Sequence, residues 1–382
     1  MANKRILIAA SMNGGAEAVA PVANRLSDKG IQCRVLLHGA AEKNARDFKA
    51  ADVLAAVSIK GCREIVARYK PTAILTGTQV QDKDHPRTLE QLLWQAGREA
   101  GAKTVAVMDT WGNEVQRFSD LDVSSPTPLS AIAAPLARTP RIITVLDAYQ
   151  EKIMLGLGFQ PETLRVTGNP YFEKVAAEFA RLSPATREAL LAKPVFSPLG
   201  KSGKIVVFMS DSMSDYPDMG FTETSVLQSF LRAVDELART TGMAINVIVR
   251  PHPFRNQDAA GAFNCETPGI RKVLHNPVSA RGSEPQNDYT MEQLLHAADL
   301  VVGTFNNPLI TAKICGRPVV HYLPGINPKY DFQQFMSDQG LSTRVAQEGM
   351  LSVVLEGILR GRISQKSMGS VEGAIDRVIA LL

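Results

Sequence analysis

One recurring unit constrains this chain more than anything else in it. A short apolar run ends in a polar or glycine-bearing turn, and a helix-like segment follows. The first set of runs is Arg5–Ala10 (RILIAA), Gln32–Leu37 (QCRVLL), Thr72–Thr76 (TAILT), Lys103–Met108 (KTVAVM), Arg141–Leu146 (RIITVL) and Leu164–Thr167 (LRVT). The second set is Lys204–Met209 (KIVVFM), Ala244–Val249 (AINVIV), Leu300–Val302 and Pro318–Tyr322 (PVVHY). A strand with one wet face alternates apolar and polar residues, because successive side chains point to opposite faces. These runs do not alternate. Continuous stretches of Val, Ile and Leu read as strands covered on both faces, the mark of a parallel sheet. Strands alternating with helices require right-handed crossovers, so the expected fold class is α/β with doubly wound parallel sheets.

With 382 residues the chain exceeds one hydrophobic core, and two domains are expected. The segment from Tyr171 to about Gly203 breaks the rhythm. It is first helical and charged (YFEKVAAEFARL), then carries Pro184, Pro194, Pro198, Gly200 and Gly203. That composition suits a connection. The expected division is residues 1–170, a connection over 171–203, and 204–382, with the last helical stretch, Gly369–Leu382, a candidate to pack back on the first domain.

Composition removes several classes. The net charge is +4, from 42 basic and 38 acidic residues, with no dense Lys/Arg block carrying interleaved aromatics; a nucleic-acid partner is not expected. Cys33, Cys62, Cys265 and Cys315 are far apart and form no CxxC pair, which argues against a disulfide framework or a zinc site. The apolar stretch in MANKRILIAAS is too short for a signal peptide. No run approaches the ~18 apolar residues of a membrane span. A cytoplasmic location is expected. The basic stretch Arg360–Lys366 (RGRISQK) reads as a solvated face, with anionic lipid as the alternative. A homodimer is the assembly left open.

In open α/β sheets, ligands bind beyond the carboxyl ends of the strands, where the strand order reverses. The residues just after each run are therefore the candidates. After Leu300–Val302 comes GTFNNPLITAKICGRP. Asn307 suits an N-cap, Pro308 the first helical position and Gly316 the end. A helix start presents unpaired N–H groups and a partial positive charge, which together attract phosphate. Gly303 permits close backbone approach, and Thr304, Asn306 and Asn307 offer hydrogen bonds. A diphosphate site is the expectation and plain capping the alternative. Arg250-Pro251-His252-Pro253, with Arg255, follows AINVIV. Arginine forks match phosphate oxygens in pairs, and His252 can donate to an oxygen or move a proton; a hydrogen-bonded structural histidine is the plainer reading. Ser210 and Ser212 add hydroxyls after KIVVFM, while Asp211 and Asp215 tell against a wholly anionic guest.

Asp109 ends KTVAVM and opens DTWGNEVQRF. A carboxylate at a strand end suits a general base, with Glu114 a second candidate on the same turn. Trp111 is a stacking surface for a sugar or base, or else part of the core. Arg117 is either the ion-pair partner of Glu114 or a ligand contact. Asn13-Gly14-Gly15 reads as a backbone-accessible turn for an acceptor or sugar. The chain has neither GxGxxG after its first run nor a P-loop lysine motif, so dinucleotide cofactors and P-loop ATPases lose ground. Asp82-x-Asp84 matches a metal-binding DxD in form, but such tripeptides are common in polar loops. No metal and no cofactor are assigned.

Together these residues resemble the GT-B superfamily of nucleotide-sugar enzymes: glycosyltransferases, UDP-N-acetylglucosamine 2-epimerases and CDP-glycerol glycerophosphotransferases. VTGNPYFEK (Val166–Lys174), after VLDAYQEKIMLGLGF, resembles the end of the epimerases' first domain. VRPHP resembles the strand-end His-Pro of the glycerophosphotransferase group, and GTFNNPLITAKICGRPVV the diphosphate turn, helix and Gly-x-Pro strand. The resemblance implies two Rossmann-like domains facing across a cleft, with the nucleotide held mainly by the second. It implies transfer of a sugar, or a similar group, from a nucleoside diphosphate to an acceptor, in cell-surface polysaccharide or glycoconjugate synthesis and without a metal. A UDP-N-acetylglucosamine 2-epimerase is the alternative. Two departures stand out. The epimerases' His-x-Glu-Ala-Gly is absent where MDTWGN stands, with Asp109 at roughly the acid's place. Ile310 and Thr311 occupy the spacing at which those enzymes hold a ribose with Glu.

Overall fold

In β1 (Arg5–Ala10) of the computed structural model, Ile6, Ile8 and Ala10 join one apolar core and Leu7 and Ala9 another, and all five are fully buried. Both faces of the strand are covered, which is why its sequence does not alternate. The structure describes residues 4–80, 87–119, 139–211, 213, 218–252, 259–274, 289–330 and 334–382. The chain divides into two units, Met1–Lys174 with Ser370–Leu382, and Val175–Gly369.

The first unit continues with α1 (Asn13–Asp28), β2 (Gln32–Leu37), a 3-10 segment at Gly39–Asp47, β3 (Asp52–Val53), α2 (Ile59–Tyr69), β4 (Ala73–Thr76), α3 (Leu89–Glu99), β5 (Lys103–Val107), β6 (Ile142–Val145), α4 (Ala148–Gly156), β7 (Leu164–Val166) and the start of α5 (Pro170–Ala180). Among the described residues its sheet is seven-stranded, in the order β3-β2-β1-β4-β5-β6-β7. Every pairing is parallel. Helix α1 covers one face; α2 and α3 cover the other with Cys62, Val66, Leu89, Leu92 and Leu93. The order reverses between β1 and β4.

The second unit holds α6 (Pro184–Leu191), β8 (Lys204–Met209), α7 (Glu223–Thr241), β9 (Ile245–Arg250), α8 (Ala259–Phe263), β10 (Arg271–Leu274), α9 (Met291–Ala297), β11 (Leu300–Gly303), α10 (Asn307–Ile314), β12 (Val319–Tyr322), α11 (Gln334–Asp338), β13 (Thr343–Val345) and α12 (Leu351–Leu359). Its sheet, among the described residues, has six parallel strands in the order β10-β9-β8-β11-β12-β13, reversing between β8 and β11. Phe208, Phe230, Val302, Tyr322 and Leu355 sit in its core, with Phe208 and Phe230 stacked 4.7 Å apart. The expected class, α/β with two doubly wound parallel sheets, is the one observed.

The last helix, α13 (Ala374–Ala380), belongs to the first unit. Ile375 and Val378 enter the core that α1 covers, and Asp376 pairs with Lys29 at 3.1 Å. Arg377 Nε donates to the Thr167 carbonyl at 2.8 Å, and the Ile375 N–H to Glu173 Oε2 at 2.7 Å.

Two sequence expectations change. Strands β3, β10 and β13 were not signalled, because each is short and lies at or near a sheet edge, where one side needs no continuous apolar cover. Asn13-Gly14-Gly15 is not a loop turn: it is the first turn of α1, closed by the Ala16 N–H on the Met12 carbonyl at 2.9 Å. Among the described residues, no helix is long and apolar enough to cross a membrane.

Candidate functional site

Both strand-order reversals gather polar groups, and each is built by its own unit. In the second unit, β8 and β11 end side by side, with Met209 in register with Gly303. A Cβ on Gly303 would lie 2.8 Å from the Met209 carbonyl oxygen and 3.1 Å from Leu309 Cδ2, so only glycine lets the turn sit this close to β8. Asn306, not Asn307, is the N-cap of α10; Asn307 is the first helical residue and is exposed, with Pro308 beside it. The Asn306 side chain does not cap. Its Nδ2 donates to the carbonyls of Met209 and Ser210 at 3.1 and 3.2 Å, tying the turn to β8. The first-turn N–H groups of α10 are therefore left without a side-chain cap, the arrangement that favours an anion.

The flanking groups are unevenly disposed. Thr304 is fully buried, with Oγ1 turned to Asp211 Oδ2 at 3.5 Å. Ser210 is buried, and its N–H donates to the Arg250 carbonyl at 2.9 Å, extending the β8–β9 pairing. Arg250 stands at the end of β9, with Nη1 against Met291 Sδ at 3.3 Å. Burial pulls its guanidinium below the ordinary value, opposed by Tyr289 and Glu292. His252 is half-buried two residues on. Ser212, Arg255 and Asp215 lie outside the described residues, as do Asp82 and Asp84. On the other side of β11, the loops after β8 and β12 interlock. A Cβ on Gly220 would lie 2.2 Å from the Gly325 carbonyl oxygen, the Asn327 N–H donates to Met219 at 2.8 Å, and Lys329 and Tyr330 both bind Asp218.

In the first unit the reversal lies between β1 and β4. A Cβ on Gly77, after β4, would lie 2.5 Å from Gly15 Cα, so the two backbones touch. Asp109, after β5, arrives over the same place: a Cβ on Gly14 would lie 2.1 Å from its Oδ2. Arg117 Nη1 donates to Asp109 Oδ1 and to Thr78 Oγ1, each at 2.6 Å, with both charged side chains largely buried. Asn169 Nδ2 holds the Asp109 carbonyl at 2.8 Å. The partner of Arg117 is thus Asp109 and not Glu114.

Glu114 and Trp111 turn inward. Glu114 accepts from the Gly112 N–H at 2.7 Å and from Gln150 Nε2 at 3.4 Å. Trp111, 8% exposed, stacks on Phe172 at 5.9 Å and points its indole N–H at Asp147, 3.2 Å away. It braces this loop and is not the open stacking surface expected. Among the described residues no group of three or more His, Cys, Asp or Glu side chains is arranged to hold a metal ion.

No protein-family model and no curated protein sequence matches the chain. Solved structures match over almost its whole length. The UDP-GlcNAc 2-epimerase from Methanocaldococcus jannaschii superposes with a TM-score of 0.67 at 11% identity, covering 99% of each chain. The UDP-GlcNAc 2-epimerase from Neisseria meningitidis, bound to UDP-GlcNAc, gives 0.66 at 11% identity, again covering 99% of each. CalG4, the calicheamicin glycosyltransferase, gives 0.55 at 12% identity and covers 100% of this chain and 98% of its own. The fold is GT-B. Identities this low carry the fold and not the reaction.

Within this GT-B fold, the candidates separate into two groups. Ser210, Gly303, Thr304, Asn306 and Asn307 meet at the reversal of the second unit, with Arg250 one strand away at the end of β9, while Asn13, Gly14, Gly15 and Asp109 meet at that of the first. Sequence reasoning missed three groups that stand beside them. Thr78 and Gly77 follow β4, in the very position the carboxyl-end rule selects. Ser11 follows β1 and gives its N–H to Glu90 Oε1 at 2.8 Å, with Glu90 fully buried. Glu17 lies on the second turn of α1, where no strand-end rule points.

Proposed function

We propose that the protein is a glycosyltransferase that moves a sugar, or a similar group, from a nucleoside diphosphate to a hydroxyl-bearing acceptor. One observation carries this reading: the N-terminus of α10 has no side-chain cap and is brought within backbone contact of β8 by Gly303, while Arg250 ends the strand on the other side of β8, with His252 two residues on. Amide N–H groups aimed at a diphosphate stabilise the charge it gains on leaving, and a nearby guanidinium and imidazole add to that stabilisation. In this reading Arg250 and His252 supply the positive charge and no metal is assigned a part. On the first unit, Asp109 and the first turn of α1 orient the acceptor.

The second reading, a UDP-N-acetylglucosamine 2-epimerase, is favoured by the higher structural similarity to the two epimerases than to CalG4. The two separate experimentally. UDP, CDP, GDP and TDP are compared by thermal shift; the cognate diphosphate, at about 100 times its Kd, stabilises by about 2.7 kcal/mol. UDP-N-acetylglucosamine is then incubated with the protein alone. Conversion to the 2-epimer or its hydrolysis product without any acceptor supports the epimerase; diphosphate release that depends on added acceptor supports the transferase. Failure of all four diphosphates to shift the melting midpoint defeats both.

A further inference from the structure

The amino ends of β5 and β6 border a cavity of about 500 Å³ that neither strand-order reversal touches. That volume falls within the roughly 300–1,000 Å³ typical of small-molecule sites. Thr104 and Pro140 are buried and form its floor, while Arg98, Gly101 and Arg141 are exposed and form its rim. All of them belong to the first unit. Asp109 lies beyond the opposite end of β5, roughly 16 Å of extended chain from Thr104.

The rim is fixed in place and positive. Helix α3 ends at Glu99, and the chain turns back into β5 through Gly101, whose φ of +72° is one that glycine adopts without strain. This turn uses the carbonyls at the helix end. The N–H groups of Ala100, Gly101 and Ala102 donate to the carbonyls of Ala96, Arg98 and Gly97 at 3.1, 3.1 and 2.9 Å. Bonded carbonyls present less negative charge to an anion than open ones do. Arg98 Nη1 donates to the Thr139 carbonyl at 2.6 Å, and the Arg141 N–H donates to Thr104 Oγ1 at 2.8 Å. Those two bonds hold the backbone of residues 139–141 against α3 and β5, which brings both arginines to one cavity. The lining contains no acid, and among the described residues neither arginine forms a salt bridge. Glu99, the acid next to Arg98, accepts from Arg63 Nε and Nη2 at 2.7 and 2.8 Å.

We propose that this cavity binds a small organic phosphate, with the phosphate on Arg98 and Arg141 and the neutral body against the floor. Guanidinium forks match phosphate oxygens in pairs, and one fork on each side of an opening suits a doubly charged group. A bare phosphate ion occupies on the order of a few water volumes of about 30 Å³ each, so it leaves most of the space empty. The remainder accommodates a body the size of a sugar or glycerol. The site stands on the first unit alone and is independent of the diphosphate turn and of the reaction proposed above.

Calorimetric titration of the full chain at low ionic strength tests this, using glucose 1-phosphate, glucose 6-phosphate and glycerol 3-phosphate, with inorganic phosphate and glucose as controls. At least one of the three organic phosphates is expected to saturate a site more tightly than inorganic phosphate, and glucose is expected not to bind. Arg98→Ala and Arg141→Ala each lower that affinity about tenfold or more, since each removes charge-assisted hydrogen bonds. The Arg141 side chain is exposed, so Arg141→Ala keeps the wild-type melting midpoint without ligand and separates lost binding from lost folding. With ligand, hydrogen exchange slows in peptides covering residues 96–104 and 139–143. Four results overturn the proposal: no saturable binding by any of the three, wild-type affinity in Arg141→Ala, equal affinity for inorganic phosphate, or protection confined to β8 and α10. The last would place the phosphate at the diphosphate turn instead.

Discussion

Glu90 shows how one buried residue ties a turn to the fold. It is fully buried on the first turn of α3 and accepts from both the N–H and the hydroxyl of Ser11. Burial raises its carboxyl above the ordinary value, and the bonds from Ser11 pull the other way. A carboxyl raised in the folded state contributes stability that is fully present below its unfolded value and lost as pH climbs through its folded value. Glu90→Gln keeps an acceptor for the Ser11 N–H and removes the ionisable group. Its melting midpoint is expected to equal or exceed that of the wild type at pH 8, with the advantage shrinking toward pH 4. A variant that melts lower than the wild type at pH 8 would contradict this. The sequence held no signal for the pair, because Glu90 and Ser11 are 79 positions apart.

At the scale of elements, the start of α10 was legible to within one residue, and its partners were not. The Asn-Asn-Pro pattern fixed a helix start there, but which Asn caps depends on β8: Asn306 spends its amide on the Met209 and Ser210 carbonyls. Gly303 has a similar dependence. Gly303→Ala drives a methyl against a backbone carbonyl and Leu309, and the backbone cannot swing aside as a side chain can. An overpacked site of this kind costs about 1–3 kcal/mol. The expected outcome is a lower urea midpoint for the second unit and a diphosphate affinity reduced by about tenfold or more, the first because packing is strained and the second because the α10 N–H groups are displaced. Wild-type affinity in a folded Gly303→Ala protein would remove the diphosphate from this turn. The α1 start was misjudged for a related reason: Asn-Gly-Gly carries strong turn propensity, and here the helix was extended back through it by contact with Gly77 and Asp109.

For the whole molecule, each unit has its own core, and the first is completed from the far end of the chain. Ile375 and Val378 of α13 are buried against α1, and each such side chain is worth about 1.5–3 kcal/mol. Removing residues 370–382 is expected to lower amide protection in β1 and α1 while that of β8, β9 and β11 stays near wild type, measured by hydrogen exchange of peptides. Equal loss in both units would show that α13 supports the second as well. What the amino-acid order determined on its own was the number and placement of the central strands, their parallel pairing, the α/β class and the strand ends at which polar groups collect. Those follow from periodicity and turn chemistry, which act over a few neighbouring residues. Only the tertiary structure decided that Arg117 pairs with Asp109, that Trp111 faces inward, and that α13 seats on α1. Each of these depends on the path the chain takes between distant residues, and no local pattern records that path.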